Sequence, residues 1–82
     1  MTAKEMFEKL GYEYEKQGKD IYCEKEFPVT KARIYFCDRK RTIDIATDEH
    51  ITFDLDLEEL QAINQQVEEL GWYERWNKRN IK

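Results

Sequence analysis

Few residues in this 82-residue sequence have side chains and spacing that could do chemistry. The soft metal ligands are Cys23, Cys37 and His50. No Cys-x-x-Cys pair is present, and one histidine is too few for the usual structural zinc sets. Cys23 and Cys37 fall on neighbouring predicted strands and could face each other, but thiols used as small apolar side chains are the commoner case. The expectation is therefore no metal and no cofactor. The carboxylates Asp44, Asp48, Glu49, Asp54 and Asp56 are close enough in sequence to hold a magnesium ion or to share general acid–base work. A nuclease-type site usually adds a lysine, and residues 42–73 contain no basic residue. Asp56 is accounted for by helix capping, and Asp44, Asp48, Glu49 and Asp54 read as a solvated acidic surface. His50 beside Asp48 suggests a base and its orienter, but no nucleophile stands near it and the chain contains no serine. These residues predict a protein that is not an enzyme.

Three features could bind rather than react. Arg39, Lys40 and Arg41 would sit at a hairpin tip, where guanidinium groups can meet phosphates. With Lys31, Arg33 and Tyr35 on the same hairpin they would make a small basic, aromatic surface for nucleic acid or a nucleotide. The bland alternative is a charged turn that keeps a sheet edge from aggregating. The second feature is the acidic block itself, nine carboxylates between residues 42 and 73, which could imitate a phosphate array or simply keep the chain soluble. The third is Trp72-Tyr73-x-x-Trp76. Tyrosine and tryptophan are common interface anchors, and Trp76, among Arg75, Lys78 and Arg79, reads as the exposed one. It could serve a protein partner or a homodimer, and the sequence does not choose between monomer and dimer.

Length and composition bound the elements that must position these residues. A chain of this size makes one domain and buries roughly 60–65% of its unfolded surface. Its 40% apolar content suffices for one core, and one proline and three glycines are too few for a disordered chain. Charged residues make up 39% of the chain, with a net charge of −4. They fall in blocks: residues 1–41 are mixed, 42–73 acidic, and 74–82 basic. Met1 to Leu10 is charged at every turn and has no apolar targeting core. No apolar run approaches the roughly 20 residues needed to span a bilayer. The expectation is a cytoplasmic protein with reduced thiols and no membrane partner.

The pattern predicts two capped helices around a strand-rich middle. Thr2 and Glu5 have capping-box spacing, Ala3, Met6, Phe7 and Leu10 form one stripe, and Gly11 closes the helix. Alternation then runs through Tyr12–Lys16, Ile21–Phe27, Ala32–Cys37 and Thr42–Ala46, with turn signals at Gln17–Asp20 and Asp38–Arg41 and a break at Pro28. A short extended piece over Ile51–Phe53 is also expected. The longer helix opens at Asp56 with Glu59 in capping-box spacing, presents Leu57, Leu60, Ile63, Val67 and Leu70 as its stripe, and ends at Gly71. The fold class is α+β: a short helix, an antiparallel meander of about four strands, and a longer helix. Both helices have one stripe to bury and so should share one sheet face, leaving Tyr22, Tyr35 and charged residues on the other.

Met1–Tyr12 and the segment Ala62-Ile63-Asn64-Gln65-Gln66-Val67-Glu68-Glu69-Leu70-Gly71-Trp72 resemble the ends of small uncharacterised proteins encoded by phages and prophages of Gram-positive bacteria. The likeness covers the two helices and not the strands between them. It implies a bacterial or phage cytoplasmic setting and an accessory gene, and it brings no functional residues. Together with the missing catalytic set, it makes the expected function protein–protein binding that inhibits or sequesters a host factor. The alternative is nucleic-acid or nucleotide binding through the basic hairpin.

Overall fold

The computed structural model describes residues 1–28, 30–48 and 54–73. Six elements follow in order: α1 (Ala3–Lys9), β1 (Glu13–Gln17), β2 (Asp20–Glu26), β3 (Lys31–Cys37), β4 (Thr42–Thr47) and α2 (Leu57–Glu69). The strands form one antiparallel sheet in the order β1-β2-β3-β4, a simple meander. This is the α+β architecture expected from the sequence. The expected extended piece over Ile51–Phe53 lies outside the described residues, as do Glu49, His50 and Trp76.

Both helices begin as their sequences dictate. The Thr2 hydroxyl accepts the Glu5 amide at 3.2 Å, and the Glu5 carboxylate accepts the Thr2 amide at 2.9 Å. Asp56 and Glu59 repeat the exchange at 2.8 and 3.1 Å. Each box satisfies amides that have no partner inside the helix. Gly11 ends α1 at φ +94°, a conformation that costs a side chain dearly. Between β1 and β2 the two-residue turn needs a positive φ at its first position, and Gly18 supplies it at +64°. The Asp38–Arg41 turn between β3 and β4 closes with Arg41 in the left-handed region, φ 54°.

The core lies between the helices and one sheet face. Phe7 of α1 packs edge-on against Tyr12 at 5.6 Å and Phe36 at 6.1 Å. Around them Ile21, Cys23 and Ile34 from the strands meet Ala62, Ile63 and Val67 of α2. Trp72 packs on Phe36, and its indole N–H donates to Asp38 Oδ1 at 2.8 Å, tying the end of α2 to the β3–β4 turn. The Ala3 amide donates to Glu69 Oε2 at 2.7 Å, while Lys9 and Leu10 lie beside Glu58 and Gln61. The two helices therefore run antiparallel.

The buried face of α2 differs from the expected leucine stripe. Glu59, Ala62, Ile63, Gln66 and Val67 are buried, whereas Leu57 and Leu60 are 68% and 54% exposed. The cause is the sheet. Tyr12 donates its hydroxyl to Glu59, and Tyr14 donates to Gln66. Two polar side chains are thus buried with partners, as buried polar groups must be. The helix turns to present them and rotates Leu57 and Leu60 outward, away from the edge along which α1 lies.

Candidate functional site

Successive residues of a strand point to opposite faces. Tyr14, Ile21, Cys23, Ile34 and Phe36 face the helices, so the residues between them share the other side, which no described element covers. The register fixes how they line up. Glu15, Tyr22, Tyr35 and Asp44 form one row across all four strands. Glu13, Glu24, Arg33 and Ala46 form the next. Glu26 opposite Lys31 continues the face at one end, and Asp20 completes it at the other.

At the centre, the rings of Tyr22 and Tyr35 stack 4.6 Å apart with 14° between their planes. A side-chain hydrogen bond to Tyr22, then one to Cys37, raises the Tyr35 phenol above its ordinary pKa. Carboxylates surround the pair: Glu13, Glu15, Asp20, Glu24, Glu26 and Asp44 from the strands, with Asp48 just beyond β4. Among the described residues the strands bring two cations to the face, Lys31 and Arg33, and both are engaged, while Arg39 and Lys40 border it at the β3–β4 turn. Lys31 Nζ sits 3.3 Å from Glu24 and 3.8 Å from Glu26. Arg33 donates to Asp48.

The expected basic hairpin surface is divided by this geometry. Arg39, Lys40 and Arg41 are exposed at the β3–β4 turn, as expected. Lys31 and Arg33 lie toward the opposite end of β3, which at about 3.4 Å per residue puts Lys31 roughly 20 Å from the turn. A shallow depression of about 330 Å³ beside the turn is lined by Asp20, Tyr35, Cys37, Arg39, Lys40 and Asp44. An anion there would meet carboxylates as well as cations.

Among the described residues the acidic block of residues 42–73 does not form one surface either. Asp44 and Asp48 belong to the open sheet face, Asp54 is exposed ahead of α2, Asp56 is spent on capping, and Glu59 is buried. The thiols are also apart. Cys23 faces the core opposite Ile34, whereas Cys37 belongs to the open face. Burial pushes the Cys23 thiol up to about 12. Among the described residues no group of three or more histidines, cysteines and carboxylates is arranged to hold a metal ion.

Sequence reasoning placed Tyr22, Tyr35 and Asp44 on this face but did not count Glu13, Glu15, Asp20, Glu24 and Glu26 as site residues. Their signal was present in the two-residue alternation of β1 and β2. It was hidden because these carboxylates lie in residues 1–41, where the lysines and arginines nearly balance them in sequence. The fold then separates the two signs. No family model, no curated protein and no solved structure matches this chain. Among the described residues no helix is long and apolar enough to cross a membrane.

Proposed function

We propose that this protein acts by binding a protein partner, without catalysis, and that the open sheet face is the surface it uses. One observation carries the reading: the face that no described element covers centres on a stacked tyrosine pair ringed by carboxylates, and the two cations its strands carry, Lys31 and Arg33, are already paired. Antiparallel sheets often leave one face to solvent, and charged residues alone are enough to keep it wet. Two large aromatic rings at its centre go beyond that need, and tyrosine is a preferred interface anchor.

The face also suggests the partner. Strand spacing and rise give it roughly 15 by 20 Å, well short of the ~800 Å² per side of a standard interface between globular proteins. An extended segment fits it better than a folded domain. The charge calls for lysine or arginine, whose ammonium or guanidinium can meet the carboxylates and lie over the tyrosine rings. Holding such a segment would withhold it from its ordinary target. That is the physical form of the inhibiting or sequestering role in a bacterial host suggested by the phage-like helices.

The alternative, nucleic-acid binding at Arg39, Lys40 and Arg41, rests on the exposure of the turn. One experiment separates the two. A lysine/arginine-rich peptide and a short single-stranded oligonucleotide are each titrated against the wild type, Glu15→Lys plus Asp44→Lys, and Arg39→Glu plus Arg41→Glu. The proposal expects the peptide to bind, the binding to weaken with salt, and the first pair of substitutions to abolish it while the second leaves it intact. Oligonucleotide binding lost only with the turn variant would put the alternative in its place.

A further inference from the structure

The row across the open face runs carboxylate, ring, ring, carboxylate: Glu15, Tyr22, Tyr35, Asp44, one from each strand. The rings lie 4.6 Å apart and 14° from parallel. Each therefore spends one face on the other and turns its second face along the row, Tyr22 toward β1 and Tyr35 toward β4. Among the described residues no ring or cation lies on either outer face. Glu15 and Asp44, which stand beyond those faces, are exposed and enter no ion pair among the described residues. Other carboxylates of the face are committed. Glu24 and Glu26 hold Lys31, Asp48 holds Arg33, and Asp20 accepts the Asp38 amide at 3.0 Å. The shallow depression of about 330 Å³ has both Tyr35 and Asp44 in its lining.

We propose that the row forms two cation slots, each a tyrosine face backed by a carboxylate, and that together they read the spacing of two lysine or arginine side chains in one extended segment crossing the strands. The slots presuppose the binding role proposed above and specify its partner. A cation is attracted to a ring within about 6 Å of its centroid. Cations placed about 4 Å beyond the two outer faces stand roughly 13 Å from each other. A β-strand puts residues four apart on one side, about 14 Å from each other. Polyproline II puts residues three apart on one side, about 9 Å from each other, and long side chains reach the remainder. Adjacent cations stand about 3 Å apart and, in a strand, point to opposite sides, so they fill one slot only. Arg39 and Lys40 border the Tyr35 slot, which makes the Tyr22 and Glu15 slot the stronger.

Calorimetric titration at one fixed salt concentration tests the spacing. The probes are neutral peptides of equal length carrying two arginines that are adjacent, three apart or four apart. The better of the spaced peptides should bind about 3- to 30-fold more tightly than the adjacent one, the worth of one exposed ring contact and one exposed ion pair. Glu15→Lys, which sets a cation in the stronger slot, should weaken all three peptides and remove the difference between them. Tyr22→Leu keeps every charge and should weaken the spaced peptide about two- to fivefold with the circular dichroism spectrum unchanged. Equal affinity at every spacing, or a preference that survives Glu15→Lys, would overturn the two slots while the basic-segment reading stands. Failure of all three peptides to bind would overturn both.

Discussion

Removing a single oxygen atom should show how α2 is held to the sheet. Tyr12 and Glu59 are 3% and 6% exposed, and the tyrosine hydroxyl donates to Glu59 Oε2. Burial first, and then the hydrogen bond to Glu59, keeps this phenol protonated well above its ordinary range. The other carboxylate oxygen, Oε1, accepts the Asp56 amide at 3.1 Å and completes the helix cap. Tyr12→Phe keeps the ring and its packing against Phe7 but leaves Oε2 of a buried carboxylate without its donor. A hydrogen bond to a charged group contributes about 1.5–3 kcal/mol, and the stranded acceptor retains its full desolvation cost. The domain as a whole is stable by roughly 4–12 kcal/mol at 0.05–0.15 kcal/mol per residue. The substitution should therefore lower Tm by about 6–24 °C, taking 4–8 °C per kcal/mol for a domain of this size. Urea unfolding followed by tryptophan fluorescence and far-ultraviolet circular dichroism measures the loss directly. A second background shows whether charge is the cause. In Glu59→Gln the buried group is neutral, so the further change Tyr12→Phe should cost less than about 1 kcal/mol. A loss below about 0.5 kcal/mol in the wild type, or equal losses in both backgrounds, would refute the argument that a buried, partnered carboxylate orients α2.

The rotated face of α2 makes its own prediction: Leu57→Gln and Leu60→Gln should each stay within about 0.5 kcal/mol of the wild type, while Ile63→Ala should cost about 2–4 kcal/mol. Urea midpoints decide it, and a large loss at Leu57 would restore the leucine stripe. Alkaline stability follows from Cys23, whose thiol is raised from 9.0 to about 12 by burial. Between those values the unfolded chain releases a proton that the native chain keeps, so this contribution to stability is complete below pH 9 and is lost as pH rises toward 12. Its slope is about 1.4 kcal/mol per pH unit, and Cys23→Ala should lose stability less steeply than the wild type between pH 9 and 11; parallel slopes would contradict the assignment.

Much of the fold was legible because local chemistry and tertiary structure agree. Both capping boxes could be read from single residues at fixed spacing, and the structure contains both. The alternation of Ala32, Ile34 and Phe36 with Arg33, Tyr35 and Cys37 assigned β3 to its two faces, and the burial follows that assignment. The orientation of α2 was legible only in part: Ile63, Val67 and Leu70 of the expected stripe pack in the core, but Leu57 and Leu60 do not. Helical period shows which residues share a face, but it cannot show that Tyr12 and Tyr14 hold hydroxyls ready for Glu59 and Gln66, more than forty residues away. Cys23 and Cys37 illustrate the same limit. They sit on adjacent strands, but the register puts one in the core and the other on the open face. The acidic face was hidden by averaging. Charge counted along the chain mixes residues that a two-residue repeat separates in space.

That separation bears on the proposed surface. A soluble sheet needs polar residues on its wet face, and one scattering of lysine and glutamate would serve that end. Here the charge that the described strands bring to the open face is mostly of one sign and encloses an aromatic pair. Strand alternation places Glu15 and Asp44 on that face and Ile45 on the opposite side. Glu15→Lys plus Asp44→Lys should therefore abolish peptide binding, whereas Ile45→Lys should leave it intact. Loss of binding in Ile45→Lys with an unchanged circular dichroism spectrum would mean that the division drawn from the strand register is wrong.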